Sequence, residues 1–168
     1  MSVVAPYLEV FCASNNTGLT SLDFTNFTAL DTIECYYSSG ITSVNLTNTP
    51  SLTRACFENN NLSSLDLSGC PNLEDLRAAS NNLNSITWGT CGADLWHMCT
   101  GDNPFSESYA IDLSHFPLLR DFWVFNAGLH GTLDGSTNTH ITGVSLANHN
   151  VTSAIFASPV CTSINMLS

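Results

Sequence analysis

The sequence predicts a mostly β chain wound into a solenoid. Three observations carry that prediction: a repeat of about 22 residues, apolar side chains alternating with polar ones inside each repeat, and Asn, Gly or Pro at the joints. Apolar landmarks recur at Leu8, Leu30, Leu52, Leu73, Leu95, Leu119 and Ile141, in steps of 22, 22, 21, 22, 24 and 22 residues. Such a period marks stacked units, each too small to bury its apolar face alone.

The same pattern follows each landmark. An apolar residue comes three positions on, a second apolar or small residue five on, and in the clearest units an Asn eight on. Leu73, Leu76, Ala78, Asn81 and Leu83 form one copy; Leu95, Met98, Thr100, Asn103 and Phe105 repeat it, as do Leu52, Ala55, Phe57, Asn60 and Leu62. The alternation predicts a first extended segment. A buried amide at the Asn position can bond backbone groups that no side-by-side strand satisfies.

The second half of each unit also reads as extended: Leu19, Leu22, Phe24; Ile41, Val44, Leu46; Leu62, Leu65, Leu67; Leu83, Ile86, Trp88; and Ile111, Leu113. Pro50, Pro71 and Pro117 mark the turn before the next landmark. Leu22, Leu46, Leu65, Leu76 and Ile86 are expected in the core.

The blocks SLDLSGCPNLEDLRAASNNL and LTSLDFTNFTALDTIECYYSSGI resemble the compact bacterial-type leucine-rich repeats, whose signature is LxxLxLxxNxL. The expected fold is therefore a leucine-rich-repeat solenoid of about seven coils, with two strand-like segments per coil, little helix and low curvature. At about 4.8 Å per coil it would form a rod of about 34 Å. A single domain over residues 1–168 is expected, regular at 8–116 and irregular over 117–168, with a polar excursion from Asp134 to His140. Members of the family generally bind proteins or glycans without chemistry of their own, and the resemblance implies a non-catalytic module.

Composition narrows the partners. Hydrophobic residues make up 43% of the chain and charged ones only 10%, against about 25% charged in an average domain. The polar surface must come from 21 Ser, 18 Thr and 18 Asn. Lysine is absent, and three Arg face nine Asp and five Glu for a net charge of −11. Nucleic acid is excluded, because phosphate binding needs clustered cations. The same sign excludes anionic membrane surfaces, and no apolar run reaches the length of a span, so no membrane insertion is expected. Met1 to Pro6 lacks the pattern of a signal peptide; a particle surface or an extracellular place suits the composition. The seven Cys show no metal-ligand spacing and read mostly as small apolar residues; Cys70 and Cys91, one repeat apart, are the best-spaced pair for a disulfide.

If the first segment points its apolar residues inward, positions two, four and six beyond each landmark point out. Those columns hold Arg54, Arg77, His97, Trp123, Phe125 and Tyr36, the expected binding residues, since Arg and aromatics anchor interfaces. The rival expectation is structural: Trp123 and Phe125 covered by the Asp134–His140 excursion, and Arg54 and Arg77 paired with Glu58 and Asp75. On the second segment Asp23, Asn45, Asp66, Thr87 and Asp112 align, and solubility and edge protection are the roles expected of them. No phosphate loop, nucleophile elbow or metal motif occurs, so no catalytic residue, metal or cofactor is expected. Asp134, Ser136 and His140 share one loop, unlike a triad held by separate elements.

Two functions fit. In the first, the chain is a structural subunit docked into a larger particle or surface assembly, such as a virion decoration or fibre protein. It would bind its own copies or another protein through uncapped ends, with Val3, Val4 and Tyr7 or Ile164, Met166 and Leu167 covered. In the second it is an adhesin-like or receptor-binding module using the Arg and aromatic face, with a glycan as a further class of partner.

Overall fold

A three-residue strand begins two residues after each landmark, because the landmark side chain and the one three positions on both turn inward. These strands are β1 (Val10–Cys12), β3 (Thr32–Glu34), β5 (Arg54–Cys56), β7 (Asp75–Arg77), β9 (His97–Cys99), β10 (Asp121–Trp123) and β12 (Gly143–Ser145), and β14 (Ser163–Asn165) follows beyond the last landmark. Between them lie β2 (Ser21–Asp23), β4 (Ser43–Asn45), β6 (Leu65–Asp66), β8 (Ile86–Thr87), β11 (His130–Gly135) and β13 (Asn150–Phe156). The structure, a computed structural model, describes residues 6–106 and 109–157 and the backbone of 163–165.

The seven landmark strands and β14 form one parallel sheet in the order β1-β3-β5-β7-β9-β10-β12-β14. Its register puts the inward residue of each coil against that of the next, Phe11, Ile33, Ala55, Leu76, Met98, Phe122 and Val144, and the Val144 backbone pairs in turn with that of residue 164. The chain is thus a parallel β-solenoid of about seven coils. The opposite wall is less continuous, with parallel pairs β2-β4, β6-β8 and β11-β13. Between the walls, Leu30, Leu52, Leu73, Leu95 and Leu119 are fully buried, and Leu22, Leu46, Leu65, Leu76 and Ile86 are buried as expected. Among the described residues there is no α-helix, and none long and apolar enough to cross a membrane.

Two devices close the coils, the first in all seven and the second in those with Asn or His eight positions beyond the landmark. Seven positions beyond the landmark the backbone enters the left-handed region, at Asn15, Tyr37, Asn59, Ser80, Asp102, Asn126 and Asn148, which short polar residues tolerate best. One residue later stands the amide ladder. The Asn103 side-chain NH2 donates to the carbonyls of Thr100 and Gly101 in its own coil and of Ala78 in the preceding one, each at 3.0 Å. Its carbonyl accepts the Leu83 N–H at 2.9 Å. Asn60 and Asn81 repeat the arrangement, and His149 takes the same position, accepting the Leu129 N–H at 3.1 Å through Nδ1.

The structure corrects three expectations in the C-terminal part. Ile111 and Leu113 do not form a strand. One turn of 3-10 helix at Leu113–His115 replaces it, started by the Asp112 carboxylate accepting the Ser114 N–H at 3.0 Å, in the coil whose step is 24 residues. The excursion from Asp134 is not an excursion. Asp134 and Gly135 end β11, which pairs with β13 through a bulge at Gly131/Thr132. The tail does not simply trail off, since β14 continues the main sheet beside β12. Cys70 and Cys91 stack one coil apart as free thiols.

Candidate interaction surface

The outward face of the main sheet begins as a row of paired charges. Across the strands, position two beyond the landmark reads Thr32, Arg54, Asp75, His97, Asp121 and Gly143. Arg54 lies 3.2 Å from Asp75 and 3.5 Å from Glu34, and Arg77 reaches the same Asp75 at 3.2 Å. Opposite charges on adjacent strands stabilise such a row. Asp75 is buried under the two guanidinium groups, which themselves remain half-exposed.

Of the six residues expected to bind, the structure therefore brings Arg54 and Arg77 together in a network that holds the sheet face, with Glu34 in the place foreseen for Glu58. His97 is buried, 3.8 Å from Asp121, and burial pushes its pKa down. Trp123 stands 42% exposed, and Phe125 is half-buried over Gly101, where a Cβ would meet its ring at 2.8 Å. The cover expected from Asp134 to His140 leaves Trp123 exposed, and Asp134 and Gly135 lie in β11 on the opposite wall. Tyr36 is half-buried four coils from Trp123 and packs edge-on against Tyr37. Cys56 and Cys99 also point outward, yet their neighbours cover them, and burial pushes the thiols up to about 11 and about 12.

The aligned Asp column on the second segment has a local task. Asp23 accepts the N–H and hydroxyl of Thr25 at 3.0 and 2.6 Å, Asn45 does the same for Thr47, and Asp66, Asp112 and Asp134 accept from Ser68, Ser114 and Ser136. These bonds close Asx turns at the end of each segment, and they hold Asp23, Asp66, Asp112 and Asp134 below the usual carboxylate range. Among the described residues no group of three His, Cys, Asp or Glu is placed to hold a metal.

Beside the sheet face lies a groove of about 430 Å³ lined by Glu74, Asp94, Trp96, Leu118, Arg120 and His140. Its construction is regular. Glu74, Trp96 and Arg120 follow the landmarks Leu73, Leu95 and Leu119; Asp94, Leu118 and His140 precede Leu95, Leu119 and Ile141. With the landmarks turned inward, their neighbours on both sides turn out. The backbone locks the columns: the Glu74 carbonyl accepts from Trp96 and His97, the Trp96 carbonyl from Arg120 and Asp121, and the Arg120 carbonyl from Thr142 and Gly143. Trp96 is 36% and Leu118 42% exposed. Unlike Arg54 and Arg77, Arg120 forms no ion pair among the described residues.

Groove and sheet face are joined by rings. Trp96 meets His97 edge-on at 5.6 Å, and His97 meets Trp123 edge-on at 5.2 Å. Sequence reading by strand alternation missed the groove, because its residues sit outside the strands. The available signal was Trp96 and Arg120 at matching places in consecutive coils. No family model matches the chain, and no curated protein matches it.

Proposed function

We propose that the chain is a non-catalytic recognition module of the leucine-rich-repeat type, binding through the surface that runs from the Trp96 groove to Trp123. The observation that carries this reading is that Trp96 and Leu118 are exposed in one groove with Arg120, which has no ion pair among the described residues, and that the His97 ring joins Trp96 to the exposed Trp123, on a chain whose polar surface is otherwise mostly Ser, Thr and Asn. Tryptophan and arginine are the side chains that dominate binding hot spots, and an apolar exposure rimmed by polar groups is what interaction sites present. The leucine-rich-repeat assignment is supported by the LxxLxLxxNxL spacing and by the ladder bonds of Asn60, Asn81 and Asn103. The buried thiols, held protonated, offer no nucleophile. The test is Trp123→Ala: partner binding falls while the melting curve is unchanged. Should the melt fall and binding per folded molecule stay the same, Trp123 is packing and the surface is misassigned.

A second reading, assembly through the ends into a particle such as a virion, is favoured by the first coil. Leu8, Phe11, Ala13 and Leu19 are only half-buried, whereas their counterparts Leu30, Ile33, Cys35 and Ile41 are fully buried, and Tyr7 is 91% exposed. Partly exposed apolar side chains along a strand invite association. Val3, Val4, Met166, Leu167 and the side chain of Ile164 lie outside the described residues. Sedimentation at rising concentration decides: self-association supports assembly, and a persistent monomer removes it.

A further inference from the structure

We propose that the groove at Trp96 and Arg120 is a binding site for a neutral saccharide. The proposal rests on reading this surface as a recognition site and names its ligand class. Charge makes the first selection. An anionic ligand would approach a chain of net charge −11 and meet Glu74 and Asp94 in the groove, while a cation would meet Arg120. A neutral ligand that both gives and takes hydrogen bonds meets no such conflict.

The polar groups then define what that ligand carries. A guanidinium offers donors only and a carboxylate acceptors only. His140, with its Nδ1 3.3 Å from the Pro117 carbonyl and 3.4 Å from the Thr139 hydroxyl, adds a ring whose nitrogens can donate or accept according to tautomer. Donors and acceptors thus share one groove. A hydroxyl is both donor and acceptor, so a ring bearing adjacent hydroxyls can satisfy Arg120 on one side and Glu74, Asp94 or His140 on the other. Between these groups, Trp96 and Leu118 present apolar surface to the C–H face of such a ring, at the small entropic cost of a rigid indole.

A peptide laid along the groove fits less well. Strand addition needs unpaired backbone groups at an edge, yet the carbonyls of Glu74, Trp96 and Arg120 each already accept two N–H groups. The arrangement is also confined to these coils: the equivalent positions before the landmarks elsewhere are Tyr7, Ala29, Ser51 and Asn72, and those after them Glu9, Asp31, Thr53 and Thr142.

The experiment applies the full chain to an array of neutral and acidic oligosaccharides and measures affinity for the hits. A neutral saccharide is expected to bind, and Trp96→Ala and Arg120→Gln to weaken it by roughly tenfold or more with unchanged melting curves. Ile155→Ser, at an exposed apolar residue on the opposite wall, is expected to leave the affinity within about twofold. Binding of acidic saccharides alone, of basic peptides instead, or equal affinity in Trp96→Ala overturns the proposal. If no saccharide binds but a protein partner binds in a Trp123-dependent way, the ligand class is wrong and the recognition reading stands. If neither binds, both fall.

Discussion

The carboxylate of Asp75 lies 3.2 Å from the guanidinium of Arg54 on the neighbouring strand, with only 5% of the Asp75 side chain exposed. Arg77 grips the same carboxylate from its own strand. Asp75→Asn keeps the shape and removes the charge that two cations share. A loss of about 1 to 3 kcal/mol in urea melts is expected, with the outward face loosening before the core. A loss below about 0.5 kcal/mol would show that both Arg simply turn to water.

The amide ladder makes a sharper claim. Asn103 is 2% exposed and bonds four backbone groups. Asn103→Ala takes this partner from the Leu83 N–H and the Thr100 carbonyl, while the Gly101 and Ala78 carbonyls keep the Ser80 N–H and the Asn81 amide, and about 1 to 3 kcal/mol of stability should go with the change. For comparison, Leu65→Ala, which only opens a cavity, should cost about 2 to 5 kcal/mol; a loss under about 1 kcal/mol there would contradict the observed register.

At Tyr37 the backbone adopts φ of 54° beneath a side chain 59% exposed. Asn serves this position at Asn15, Asn59, Asn126 and Asn148. Tyr37→Asn should raise stability by about 0.5 to 1 kcal/mol. A drop in melting temperature would mean that the edge-on contact with Tyr36 outweighs the backbone strain.

Stability should also fall on mild acidification. Burial pushes the pKa of His149 and of His97 down, so as pH drops through the ordinary histidine range near 6.5 the unfolded chain takes up protons that the native chain refuses. Stability is full above that range and declines below it. His149→Asn places an amide where Asn60, Asn81 and Asn103 stand, keeps an acceptor for the Leu129 N–H, and cannot titrate. The melting temperature of this variant should depend less on pH between about 7.5 and 5.5, and adding His97→Gln should flatten the profile further. An unchanged profile in both would assign the pH dependence to other groups.

The core was legible in the sequence because its rule is local: landmark, plus three, plus five, and Asn at plus eight all appear in the residue types themselves. β11 was not legible. Its inward positions are Leu133 and Gly135, and the glycine leaves room for the Phe156 ring, which would lie 2.7 Å from a Cβ there, so half of the expected apolar alternation comes from another coil. The outward columns gave Trp123 correctly as an exposed aromatic and placed His97 too far out, since burial there depends on neighbours two strands wide. The groove escaped because Trp96 and Arg120 are defined by the inward leucines beside them and by no pattern of their own.

That placement sets how freely the surface can change. Glu74, Asp94, Trp96, Leu118, Arg120 and His140 flank landmarks and none belongs to the buried cluster. Substitutions at these sites change the lining of the groove while the folding instructions stay untouched. Insertion or loss of one whole coil would lengthen or shorten the groove by about 4.8 Å without requiring a new interior. Variation between descendants of such a chain should concentrate at the residues beside each leucine, with the leucines held fixed.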